Sequence, residues 1–228
     1  MTLALIVLAL AFGLAFLPQL WIRGVIARHS DERADIAGTG GEFARHVLDG
    51  MGLHHVVVEE TQSGDHYDPD AKAVRLLPQH FGKRSLAAIV IAAHEVGHAM
   101  QDATAYGPLI ARTRMARQAQ KVEKVGSVIM LAAPVMMILS KSPHIMFMQL
   151  AIGVLILGST IFMHAVTLPV EFDASFRRAL PLLKTGNYIS NRDMRSARQL
   201  LRAAAFTYVA AAAVSLLDVM RWFRVLRF

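Results

Sequence analysis

The chain has no cysteine, which removes disulfides, thiolate metal sites and thiol nucleophiles together and leaves the redox compartment open. Aromatic residues make up only 7% of its 228 residues, so the basic surplus, a net charge of +7, lacks the interleaved stacking platform that nucleic acid would use. There is no glycine-rich phosphate loop, internal repeat or low-complexity linker. Charged residues are sparse, at 18% against 54% hydrophobic, and the mean hydropathy is +0.41. The apolar excess lies in long blocks flanked by basic residues, which reads as a multi-pass membrane protein with the lipid bilayer as a partner.

What is present is organised around Leu86 to Gln101, LAAIVIAAHEVGHAMQ. The residues before His94 are apolar and mostly small, so a tightly buried helix is expected. On that helix His94 and His98 lie one turn apart on one face and can share a metal ion. Glu95 sits beside them, within reach of an attacking water as its general base. Two imidazoles and a carboxylate base form the pattern of zinc-assisted peptide hydrolysis, with one Zn2+ per chain.

The rest of the chain divides around this stretch. Thr2 to Ile22 carries no charge and is long enough to cross a hydrocarbon core of about 30 Å. Arg23, Arg28 and Arg33 follow it, which places residues 25–124 in the cytoplasm. Within that region Thr39-Gly-Gly-Glu42 is a capping-box pattern opening a helix to about Asp49. Val56 to Glu59 and Ala73 to Leu77 are strand-like, separated by the turn-rich Ser63 to Asp70. They form either a supporting hairpin or an edge that pairs with an extended substrate. Asp65, His66, Tyr67 and Asp68 are candidates for a substrate contact, although such residues more often only make a turn. Arg112, Arg114, Arg117, Lys121 and Lys124 make a basic helical stretch, either a solvated face or a contact for anionic headgroups.

Residues 125–168 hold two apolar segments joined by Lys141 to His144, and are expected to form a transmembrane hairpin. Two crossings return the chain to the side it left, so residues 169–202 rejoin the catalytic region. Glu171 supplies the carboxylate that a two-histidine site lacks, with Asp173 as competing ligand or as a partner orienting an imidazole. Residues 203–228 hold a fourth apolar block, transmembrane or interfacial, and a basic tail. The expected fold is a mainly α membrane protein of about four transmembrane helices, with a cytoplasmic α+β zincin-like metalloprotease domain containing a small sheet.

Four segments carry a resemblance: TGGEFARHVLDGMGL (Thr39 to Leu53), DHYDPDAKAVRL (Asp65 to Leu76), LAAIVIAAHEVGHAMQ and LPVEFDASFRRA (Leu168 to Ala179). Together and in this order they resemble the YugP-type membrane zinc metallopeptidases. The resemblance implies a neutral zinc metallopeptidase with His94 and His98 as ligands and Glu95 as catalytic glutamate. Likeness to the wider gluzincin pattern E-x-x-A-D supports Glu171 as third ligand. The chain departs from that pattern with Ser175 where an aspartate would orient the first histidine, and Asp173 is the obvious substitute. The expected activity is an endopeptidase acting on membrane proteins or peptides at the cytoplasmic membrane surface. The competing function is a membrane scaffold or chaperone-like subunit in which any metal is structural. A site-2-type intramembrane protease, suggested by Leu48-Asp49-Gly50, is disfavoured because that element precedes the H-E-x-x-H helix instead of following it.

Overall fold

The computed structural model describes residues 13, 17, 19–140 and 143–206 of the chain. A first helix, α1, covers residues 19–27 and buries Ile22 and Val25. Helix α2, Gly40–Gly50, opens with the capping box: Thr39 Oγ1 accepts the Glu42 amide at 3.2 Å, and Glu42 Oε2 accepts the Thr39 amide at 2.8 Å. Two orphan donors of the first turn are thereby satisfied reciprocally. The helix presses its first turn onto the backbone ahead of the central helix, since a Cβ on Gly40 would lie 2.1 Å from the His80 carbonyl oxygen. Its buried residues Phe43, Ala44, Val47 and Leu48 face the core.

Three short strands follow: β1 (Val57–Glu60), β2 (His66–Asp68) and β3 (Ala73–Leu76), in the sheet order β1-β3-β2. The two strand-like segments therefore do not make a hairpin. β1 and β3 pair in parallel, Val58 opposite Val74, and β2 pairs antiparallel to β3, Tyr67 opposite Val74. A parallel pair needs a crossover of about a dozen residues, which the segment read as a turn provides while contributing the edge strand β2 itself.

A one-turn helix, α3 (Pro78–Phe81), leads to α4 (Leu86–Ala103), the centre of the fold. Ser85 caps α4 by accepting the Ala88 amide at 3.1 Å. Leu86 to Val90, Ala92 and Ala93 are all buried, so the helix is surrounded by α2, the sheet and the returning chain. Helices α5 (Gly107–Ser140) and α6 (Pro143–Phe172) pack against each other as a long hairpin. α6 continues without a break into a π-helical segment, Asp173–Ala179, and then α7, Leu180–Thr185. The last described helix, α8, covers residues 194–206 and buries Leu200, Leu201 and Ala203. Arg33, ahead of α2, binds Asp193, ahead of α8, through Nη1 at 2.8 Å and Nη2 at 3.0 Å, tying distant parts of the chain together.

The expectation of four transmembrane helices is corrected. Among the described residues no helix is long and apolar enough to cross a membrane. The apolar runs of residues 125–168 are not elements of their own. α5 joins its apolar part to the basic stretch from Arg112 to Lys124 in one helix, and α6 runs through Pro169 into the buried carboxylate of Glu171. The first and last proposed spans lie almost wholly outside the described residues. What stands is a mostly helical chain with one small three-stranded sheet.

Candidate metal centre

Helix α4 supplies His94, Glu95 and His98, and the end of α6 brings Glu171 against them. His94 Nε2 lies 3.1 Å and His98 Nε2 lies 3.5 Å from Glu171 Oε2. The two imidazole centroids are 4.8 Å apart, set by the one-turn spacing on the helix. One ligand atom from each of the three residues falls within 4.8 Å of the others, all three residues are buried, and the group could hold a metal ion. Its members come together because the helices touch. A Cβ on Gly97 would meet the Ala174 carbonyl oxygen at 2.7 Å, so only glycine lets α4 lie directly on the π-helical backbone just past Glu171.

Whether the group fits a metal can be judged from its own chemistry. Glu171 Oε1 is buried with no hydrogen-bond partner. Its nearest cation, Arg112 Nη1, stands 4.0 Å away, too far for a hydrogen bond. An unpaired buried carboxylate oxygen is costly in a folded protein, and a cation shared with two imidazoles removes that cost. Burial alone would raise the Glu171 carboxyl, but the charges and hydrogen bonds of His98 and His94 outweigh it and hold the group well below the usual carboxylate range. A nitrogen, nitrogen, carboxylate set with its acid ionised is the donor set of an open zinc site.

The far side of each imidazole is held as well. His94 Nδ1 is 3.1 Å from Ser175 Oγ, and His98 Nδ1 is 2.9 Å from Gln101 Oε1. Ser175 is therefore itself the partner of the first histidine, in the place where the wider pattern has an aspartate. Asp173 does not reach either histidine; it accepts from Gln101 Nε2 at 2.9 Å.

Glu95 lies beside this group, buried, with the backbone of Tyr67 in the edge strand β2 near enough to oppose the rise of its carboxyl. Burial pushes its carboxyl up to about 7, with His94 opposing and Glu171 and Asp65 adding to the rise. A carboxylate balanced near neutrality is suited to taking and returning a proton. The three ligands and Glu95 line a cleft of about 230 Å³. Its lining is part apolar, with Ile22, Ile26, Val90, Ile91, Leu200 and Leu201, and part polar, with His66 and Arg112.

The other turn candidates build architecture. Asp65 accepts the Leu77 amide at 2.8 Å and holds His80 Nδ1 at 2.8 Å. Tyr67 donates its hydroxyl to Asp102 at 2.6 Å, and Asp68 accepts from Arg75 at 2.7 Å while capping the turn through the Asp70 and Ala71 amides. Only His66 lines the cleft without a side-chain partner given to another element: its Nδ1 stays on the nearby Gly64 carbonyl at 2.8 Å.

A family model described as "Putative neutral zinc metallopeptidase" matches residues 4–227. The chain belongs to that neutral zinc metallopeptidase family. A relative from Bacillus subtilis (strain 168), named "Putative membrane protease YugP", is 35% identical over 214 residues, covering 93% of this chain and 91% of that protein. No solved structure matches the chain. The name of this zinc metallopeptidase family implies zinc, in agreement with the donor set of His94, His98 and Glu171. Two further residues stand at this group, Gln101 against His98 and Arg112 at the cleft. Gln101 carried a legible signal, since three positions past His98 on a helix is the same face. In the sequence Arg112 is one of a basic run, and nothing local marks it as the member that lines the cleft.

Proposed function

We propose that the protein is a zinc-dependent endopeptidase, with His94, His98 and Glu171 holding the metal and Glu95 as catalytic base. The observation that carries this reading is the convergence of three buried ligand atoms, one carboxylate oxygen left unpaired, beside a fourth buried carboxyl on the same cleft. A structural zinc site is usually closed by four protein ligands, whereas a catalytic one has three and an open position. When bound, zinc lowers the pKa of a water and polarises a scissile carbonyl.

The chain's own groups do the rest. Glu95 takes the proton of the attacking water on its carboxylate and returns it to the leaving amine. Its exclusion from solvent keeps it protonatable near neutral pH. The apolar lining of Ile22, Ile26, Val90 and Leu200 receives an apolar side chain next to the scissile bond. Membrane proteins or peptides at a membrane surface are the substrates we favour. The name of the Bacillus relative, a membrane protease, supports this, as do the exposed Val125, Val128, Phe147, Leu155 and Phe162 on the α5–α6 hairpin.

The test is cleavage of a panel of unstructured and membrane-protein substrates by zinc-loaded wild type beside Glu95→Gln, with products read by mass spectrometry. Cuts next to apolar residues by wild type alone support the reading. Identical behaviour of the two proteins overturns it.

A further inference from the structure

Of the two histidines, His98 has the more elaborate support, and the chemistry of that support dictates its proton. Gln101, fully buried, faces three polar groups at once. Its amide nitrogen donates to the Val170 carbonyl at 2.8 Å and to Asp173 Oδ2 at 2.9 Å. An amide nitrogen has two protons, and both are now committed. The oxygen is left for His98 Nδ1 at 2.9 Å, and since that oxygen can only accept, His98 Nδ1 must carry the proton. The lone pair of Nε2 is then free on the side of Glu171. Asp173 is in turn fixed by Arg178, whose Nε donates to Oδ2 at 2.7 Å.

The same amide grips both ligand-bearing elements. Val170, whose carbonyl it binds, immediately precedes Glu171 in α6, while Gln101 itself lies one turn beyond His98 in α4. One side chain therefore sets the orientation of the second imidazole and the backbone that presents the carboxylate.

We propose that Gln101 is a positioning residue for the metal centre: backed by Asp173 and Arg178, it fixes His98 with its proton on Nδ1 and holds the Glu171 backbone against it. This rests on the reading of His94, His98 and Glu171 as a metal site. Partners of this kind raise ligand basicity, and their loss weakens metal binding by about 10–100-fold.

The test uses the full chain and metal binding rather than hydrolysis. Zinc affinity is measured by competition with a chromophoric chelator for wild type, His98→Ala, Gln101→Leu, Gln101→Glu and Asp173→Asn. Gln101→Leu should bind zinc about 10–100-fold more weakly. Gln101→Glu should recover only part of the affinity, because its carboxyl still accepts from His98 but cannot donate to both Asp173 and the Val170 carbonyl. Asp173→Asn, which leaves Gln101 an acceptor but removes the charge behind it, should fall between.

Cobalt(II)-loaded wild type should also show two paramagnetically shifted, exchangeable imidazole N–H resonances. The one belonging to His98 should exchange slowly with solvent and be the one perturbed in the Gln101 and Asp173 variants. This signature in wild type decides the matter even if Gln101→Leu does not fold. A His98 N–H that exchanges freely overturns the proposal, as does a folded Gln101→Leu with wild-type affinity while His98→Ala has lost binding; in the latter case the metal centre itself stands. A wild type without zinc affinity overturns both readings.

Discussion

Two acidic regions flank α4 and use the same residue types to opposite ends. On the sheet side Asp65, Asp68 and Asp102 are matched: Asp65 with His80 and an amide, Asp68 with Arg75, Asp102 with Tyr67 and Lys72. On the α6 side Glu171 keeps one buried oxygen without a partner, and on α4 itself Glu95 is kept from solvent with its carboxyl raised to about 7. The matched Asp65 lines the cleft beside Glu95 and Glu171, while Asp68 and Asp102 hold the sheet and α4 around it. Deeper burial and one unpaired oxygen set Glu171 and Glu95 apart from these supports.

The contrast is broken most severely by removing the proton carrier. Glu95→Gln should reduce peptide hydrolysis by about 100- to 10,000-fold while leaving zinc content unchanged, as read by turnover and metal analysis of the same preparation. Next in size is the contact that joins the two sides. Gly97→Ala places a Cβ where the Ala174 carbonyl lies, and should cost about 1–3 kcal/mol in denaturant unfolding with weaker zinc retention. Gly50→Ala, with nothing within 4 Å, should cost nothing by the same measurement.

A change on the sheet side sharpens the comparison. Tyr67→Phe removes one hydrogen bond to Asp102 and should lower stability by about 0.5–1.5 kcal/mol, with zinc affinity by chelator competition unchanged.

Titration of the metal-free protein gives a further distinction. The folded carboxyl of Glu95 lies above its unfolded value, so its contribution to stability is fully present below the ordinary glutamate range and is lost as pH rises through about 7. Glu95→Gln should therefore lose less stability than wild type between pH 5 and pH 8, read from thermal midpoints. The smallest effect is expected at Asp193. Hydrogen bonds from Arg33 are the largest cause holding its carboxyl below the usual range. Its contribution is present above that range and lost on acidification. Solvent screening limits Asp193→Ala to about 1 kcal/mol or less at neutral pH.

Legibility in the sequence followed distance along the chain. The capping box of α2 and the shared face of His94 and His98 are written within four or five residues, so periodicity and spacing expose them. β2 is three residues long and made of turn-forming types, and its strand character comes from pairing with β3, which no local pattern announces. Gln101 finds its partners 69 and 72 positions away, and only the packing of α4 on α6 shows what its amide is for. The apolar runs mislead for the converse reason: their composition is clear, but not that each is part of a longer helix, one beginning with a basic stretch and the other ending past the buried Glu171.

The helical hairpin also bears on the order of folding. His94 and Glu171 are 77 positions apart, and closing so long a loop directly carries a large entropic cost that only the finished contact repays. Packing α5 on α6 first, through contacts that begin near their junction, shortens the effective loop until Glu171 arrives beside α4. Before that contact forms, α4 by itself brings only the two imidazoles of His94 and His98 to a shared metal. Tight retention of zinc would thus report a completed fold, and the ion would act as a lock on the last step and not as a seed for the first.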